Sequence, residues 1–156
     1  MRHAKSSWDS PASTDHERPL NDRGKRDAPR VARRLAELGW QPQHILSSDS
    51  QRTRETCNLL LAAWEAGIGV DYLASLYLAG PQELAKALSP MSDEIETLLV
   101  LGHNPGWEAV VHRLTDHAVT MKTASAAMLT AKFASWGDAF RQRWRLHDVI
   151  HPKELD

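Results

Sequence analysis

The side chains best suited to chemistry stand at the very start of the sequence. Arg2 and His3 follow Met1 directly and lead into Ala4 and Lys5. A neutral imidazole can attack phosphorus through a ring nitrogen. A guanidinium offers phosphoryl oxygens a planar fork of donors. An Arg-His pair at the head of an α/β domain therefore points to phosphoryl chemistry, with His3 as nucleophile and Arg2 as phosphate ligand. The same two residues also read as a solvated basic terminus, so the case depends on what else the fold can bring to them.

Length and composition bound the answer. At 156 residues the sequence fits a single domain, 1–156, with room for a sizeable core. Apolar content of 42% and charged content of 25% are those of a globular protein. A net charge of −1 argues against a general binder of nucleic acid or of membrane surfaces, yet leaves local arginine clusters free to hold a phosphate. The one cysteine, Cys57, excludes an internal disulfide and a thiolate metal cage. The chain is polar from Arg2 onward, and its longest fully apolar run, Leu98 to Leu101, is far shorter than a membrane span. A cytoplasmic protein is expected. No pattern in the chain sets an oligomeric state.

The elements that must position the pair follow from the spacing of apolar residues. Residues 6–20 are polar, carry two prolines and read as a loop. A helix capped near Asn21 or Asp22 should bury Ala28, Val31, Ala32, Leu35 and Leu38, with Pro29 kinking it and Gly39 stopping it. His44–Ser48 reads as a strand, followed by a helix from Gln51 to about Ala66 that buries Leu60, Leu61 and Trp64. A strand at Val70–Leu73 and a helix opened by Gly80-Pro81 come next. Thr97–Leu101 is apolar throughout, as expected of a strand covered on both faces. Asn104 should cap the helix after it, with Pro105 in the first turn. Ser125–Phe133 and Trp144–Val149 read as a hairpin with a longish loop, and the tail from Pro152 as loosely held.

Strands alternating with helices imply a three-layer α/β/α sandwich with a mostly parallel sheet and an antiparallel edge. In such sheets ligands bind outside the carboxyl ends of the strands. Arg52 falls in the first turn after the His44–Ser48 strand, and His103 directly after the Thr97–Leu101 strand.

These residues resemble the motifs of a known family. Arg2-His3-Ala4 resembles the Arg-His-Gly/Ala signature of the histidine phosphatase superfamily. The stretch Ser47 to Thr56, with Arg52, resembles its second motif, and Gly102-His103-Asn104-Pro105-Gly106 its third. Arg18-Pro19-Leu20 before the first helix, with the compact length, is most like the SixA-type phosphohistidine phosphatases. The resemblance implies a phosphoglycerate-mutase-like fold. It implies that His3 accepts the phosphoryl group, that Arg2, Arg52 and His103 form the phosphate pocket with Arg18 contributing, and that no metal or other cofactor is needed. The implied partner is a phosphorylated substrate, with a histidine-phosphorylated protein as the leading candidate.

Two departures from that family bear on expectation. In the family an apolar central strand leads into the Arg-His pair, whereas only Met1 precedes it here. Each large apolar side chain of such a strand contributes roughly 1.5–3 kcal/mol on burial, against a net domain stability of about 5–15 kcal/mol. The native chain is therefore expected to start upstream of Met1. The second departure is the general acid, for which Glu83 is the nearest guess; it also reads as a first-turn acid favoured by the helix dipole.

The missing acid bears on the substrate. An alkoxide must be protonated as it departs, whereas the imidazole of a phosphohistidine leaves neutral if its other nitrogen already carries a proton. A phosphohistidine phosphatase is the leading reading. A phosphomonoesterase for a small metabolite and a non-catalytic phospho-ligand module are the alternatives.

Overall fold

A computed structural model describes residues 1–155. Helix α1 (Asp22–Glu37) is capped by the Asn21 side chain, which accepts from the Gly24 amide, and buries Ala28, Val31, Ala32 and Leu35. Leu38, expected on that stripe, is the C-cap residue and stays 40% exposed, because the helix ends before its side chain can turn inward. Strand β1 (His44–Ser48), helix α2 (Gln51–Trp64), strand β2 (Gly69–Leu73), helix α3 (Pro81–Leu88) and strand β3 (Leu98–Leu101) follow. Helix α4 (Gly106–Thr115) and strands β4 (Ala126–Thr130) and β5 (Arg145–Ile150) complete the chain.

The parallel sheet has the order β2-β1-β3, and β4 pairs antiparallel with β5 in a separate ribbon. Successive residues of β1 point to opposite faces. Ile45 packs into one core with α1 and α2, and Leu46 into another with α3 and α4. This is the expected layering of helices on both sides of a parallel sheet.

Residues 1–4 tie the two sheets together. The Met1 amine donates to Val100 O (2.8 Å), Gly102 N to Met1 O (3.1 Å) and His3 N to Gly102 O (3.0 Å). On the other side Arg2 N donates to Ser125 O (3.0 Å) and Ala124 N to His3 O (2.9 Å). Away from this bridge, among the described residues, β3 pairs only with β1 and β4 only with β5. Between them lies an apolar cleft of about 240 Å³, lined among others by Met1, Leu98, Val100, Leu129, Trp107 and Trp144. The cleft explains why Leu98, Leu99 and Val100, expected to be covered on both faces, are only half-buried.

The chain end also departs from expectation. Pro152 is buried in a 3-10 turn, Pro152–Glu154, that packs against α1, and Leu155 packs on the core. No helix among the described residues is long and apolar enough to cross a membrane.

Candidate active site

Each element ends in a way that aims a polar side chain at one point. At the end of β1, Ser50 caps α2 by accepting from Thr53 N, which places Arg52 in the first turn. One turn on, Thr56 Oγ1 donates to Arg52 O (2.7 Å) and accepts from Ala4 N (3.0 Å), so α2 is stitched to the segment bearing His3. His103 follows β3 directly. The expected Asn104 cap of α4 does not form: the helix starts at Gly106 after a cis Asn104–Pro105 bond. Asn104 Nδ2 instead donates to Glu108 Oε1 (2.9 Å) and Met121 O (2.8 Å), leaving Oδ1 buried without a partner. Gly106 is required here, since a Cβ would overlap Ala79 O.

His3 is 7% exposed. Its Nδ1 lies 2.7 Å from Ala4 O. A carbonyl only accepts, so Nδ1 carries the proton and Nε2 keeps its lone pair. Arg52 Nε points at that Nε2 from 3.4 Å. Arg52, 3% exposed, also donates from Nη1 to Asp15 O (2.8 Å) and from Nη2 to Asp15 Oδ2 (3.1 Å), and its Nη2 faces His103 Nδ1 at 3.4 Å. His103 Nε2 meets Ser48 Oγ at 2.8 Å. The two imidazoles stand with centroids 5.2 Å apart.

Burial, reinforced by nearby positive charge, keeps both rings neutral. Desolvation leads in pushing His3 down to about 3, with His103, Arg52 and Arg2 adding to it. His103 is pushed down to about 4 by desolvation and then by Arg52. Arg2 is also lowered, chiefly by desolvation; its Nη1 donates to Met121 O (2.9 Å), and its buried Nε has no partner.

The structure thus brings His3, Arg52 and His103 into one buried cluster, with Arg2 near enough for its charge to act on both rings. Arg18 is held differently. Its Nε donates to Ser7 O (3.0 Å), Nη1 to Asp15 Oδ1 (2.8 Å) and Nη2 to Ser6 Oγ, and its guanidinium lies 3.4 Å from the centroid of the exposed Trp8 ring. Glu83 is not at the site. Its carboxylate accepts from Gly80 N (3.0 Å) as the cap of α3, and its backbone hydrogen bonds hold it below the usual carboxylate range.

Sequence reasoning missed Asp15, Tyr77 and Ser48. Asp15 buttresses Arg52 through both its carbonyl and its carboxylate, and accepts from the Tyr77 hydroxyl. The Tyr77 hydrogen bond and then Arg18 hold its carboxyl well below the usual range. Tyr77 packs edge-on against His103 (5.4 Å) and His16 (4.9 Å). Asp15 and Tyr77 come from a loop and a turn with no periodicity, so only their polar and aromatic character marked them, while Ser48 ends β1 and lay within the second motif without a role of its own. Among the described residues, no group of three or more His, Cys, Asp or Glu is arranged to hold a metal ion.

Comparison with known proteins places this geometry. The model of the histidine phosphatase superfamily (branch 1) matches residues 1–76. An uncharacterised chloroplastic protein of Arabidopsis thaliana is 38% identical over 165 residues, covering 97% of this chain and 76% of that protein. An uncharacterised protein of Mycobacterium leprae is 34% identical over 161 residues, covering 99% and 96%. A crystal structure from Agrobacterium tumefaciens, assigned to the phosphohistidine phosphatase SixA, matches with a TM-score of 0.82 at 28% identity, covering 97% of this chain and 95% of that one. The protein histidine phosphatase SixA complexed with tungstate has the same fold, with a TM-score of 0.85 at 20% identity, covering 100% and 97%.

Proposed function

The chain belongs to the histidine phosphatase superfamily and is a phosphatase, and from that premise we propose that it hydrolyses phosphohistidine by way of a phosphoryl group carried on His3. The observation that carries this reading is the fixed tautomer of His3: Nδ1–H held by Ala4 O, and Nε2 bare and facing Arg52. The likeness to SixA structures supports the same substrate class.

In the first step His3 Nε2 attacks phosphorus in line and the substrate P–N bond breaks. The departing imidazole leaves neutral when its other nitrogen is protonated. Arg52 and Arg2 stabilise the equatorial oxygens, the role that electrostatic clamps play in phosphoryl transfer. Ser48 lets His103 assist. Its hydroxyl can accept from His103 Nε2–H or donate to a bare Nε2. When a phosphoryl oxygen engages Arg52, the second arrangement leaves Nδ1–H of His103 free to donate to that oxygen. In the second step water attacks phosphorus, the P–Nε2 bond breaks, and His3 returns to its starting tautomer. The second proton of the water leaves with phosphate. Arg18 acts from the loop, by holding Asp15 against Arg52.

Nothing in this scheme requires a strong acid. Asp15, the carboxylate in contact with Arg52, is held ionised and cannot protonate an alkoxide. That observation favours phosphohistidine over an alkyl phosphate. A substrate panel tests it: a phosphohistidine peptide, sugar phosphates and an aryl phosphate. The expected order of kcat/KM places the phosphohistidine peptide first and sugar phosphates last. A sugar phosphate turned over fastest points to a metabolite phosphomonoesterase. Phosphate binding without turnover points to a non-catalytic module.

A further inference from the structure

A second cleft is lined by Arg2, the residue next to His3. Its volume is about 250 Å³, and its walls carry Arg2, Lys5, Arg23, Lys122 and Lys153 against one carboxylate, Asp27. The protein as a whole has a net charge of −1, so this concentration of positive charge is local.

The fold builds the cleft from four separate segments. Gly24 lets the first turn of α1 lie against the Lys5 backbone, where a Cβ would overlap Lys5 O, and so sets Arg23 beside Lys5. Arg23 Nη2 reaches across to Thr123 Oγ1 (3.2 Å), joining α1 to the segment bearing Lys122. His151 Nδ1 meets Ser125 Oγ (2.7 Å) and anchors the tail carrying Lys153. The single acid is already engaged: Asp27 is buried between Arg23 (3.9 Å) and Arg30 (3.8 Å). Lys5, Lys122 and Lys153 have no ion-pair partner among the described residues. Three unpaired ammonium groups facing one cleft repel one another, and an anionic ligand relieves that repulsion.

We propose that this cleft binds carboxylates of an acidic stretch flanking the phosphorylated histidine of a protein substrate, so that Arg2 reads the phosphoryl group while the lysines read its neighbours. The proposal rests on the phosphohistidine reading above. Its energetic contribution lies in binding rather than in chemistry, because the lysines lie outside the reacting centre.

The test uses two synthetic phosphohistidine peptides, one flanked by glutamates and one by glutamines, with the unaltered protein and a Lys122→Glu/Lys153→Glu variant. For the unaltered protein, the glutamate peptide is expected to have a KM about three- to tenfold lower at low salt, with equal kcat. The advantage should shrink at high salt and vanish or invert in the double variant. Aryl phosphate hydrolysis should be unchanged, and Lys86→Glu on α3 should preserve the preference. Equal KM for both peptides in the unaltered protein overturns the cleft assignment and leaves the phosphohistidine reading standing. If neither peptide is hydrolysed, that reading fails, and the cleft is then judged by inhibition of aryl phosphate hydrolysis by the unphosphorylated peptides. Stronger inhibition by the glutamate peptide, lost in the double variant, supports the cleft; equal inhibition overturns it.

Discussion

Residues 1–4 have two ends, and the molecule treats them differently. At the His3 end, His3 and Ala4 are tied on three sides: to Gly102 beyond β3, to Ala124 before β4 and to Thr56 on α2. Their amides are satisfied, and one ring nitrogen of His3 is left for chemistry. At the other end, Met1 sits over an apolar cleft whose flanking strand edges have no partner among the described residues. Its buried amine is pushed down to about 5 by desolvation. The contrast suggests that the pocket end sets activity and the cleft end limits stability. Such a division is testable, because each end can be altered without touching the other.

Among the residues around His3, the largest effect is expected at Arg52. Arg52→Ala removes the donors facing His3 and His103 and should lower kcat/KM by about 10²–10³-fold, read with the phosphohistidine peptide. A change below tenfold breaks the assignment of Arg52 to the transition state. Thr56→Val should act on both quantities. It leaves the buried Ala4 amide without an acceptor, at about 1–3 kcal/mol, so the melting temperature should fall by several degrees and kcat should fall with it.

The cleft end is sharpened by extension. Six residues of Val-Leu-Ile character placed ahead of Met1 should pair with β3 and β4, cover apolar surface and raise the melting temperature by several degrees, while kcat changes less than twofold. An unchanged melting temperature breaks the comparison.

The pH dependence of stability separates the ends without mutation at the site. The amine and both histidines have lowered folded values, so in each case the unfolded chain binds more protons and stability falls with falling pH. The Met1 amine contribution is complete above its ordinary 8.0 and is lost on descent toward about 5. The histidine contributions are complete above 6.5 and are lost toward about 4 for His103 and about 3 for His3. Thermal melts between pH 8 and 6.5 should therefore report mainly the amine, and the extended chain should lose that slope while keeping the one below 6.5. The smallest effect belongs to the loop. Asp15→Asn weakens the hold on Arg52 and should lower kcat/KM by a few-fold, with the deficit in kcat.

What was legible follows the same division. Arg52 and His103 each sit just past a strand, where apolar sequence gives way to polar, and strand periodicity locates such junctions, whereas His3 was marked by its Arg-His motif alone. The helix starts at Asp22 and Pro81 were equally readable, from the Asn21 cap and the proline, whereas α2 is capped by Ser50 rather than by Ser48 or Asp49, the caps the sequence favoured. Asp15 and Tyr77 were not legible, because they meet across 62 residues through loop geometry that no local pattern encodes. The Asn104 cap does not form. The Asn104 amide group is instead taken up by Glu108 in the first turn of α4 and by the more distant carbonyl of Met121. The gap between β3 and β4 lies beside the place where an apolar strand was expected ahead of Arg2, so its cause was legible in the sequence although a sheet in two pieces was not drawn from it.

The most direct test of the central claim is rapid-quench trapping with a ³²P-labelled phosphohistidine peptide, followed by peptide mapping. The account predicts acid-labile, alkali-stable phosphate on the peptide containing His3, appearing within one turnover and absent from His3→Ala, which should also be inactive. Turnover that proceeds with no label on His3, or a His3→Ala protein that still hydrolyses the substrate, would contradict it.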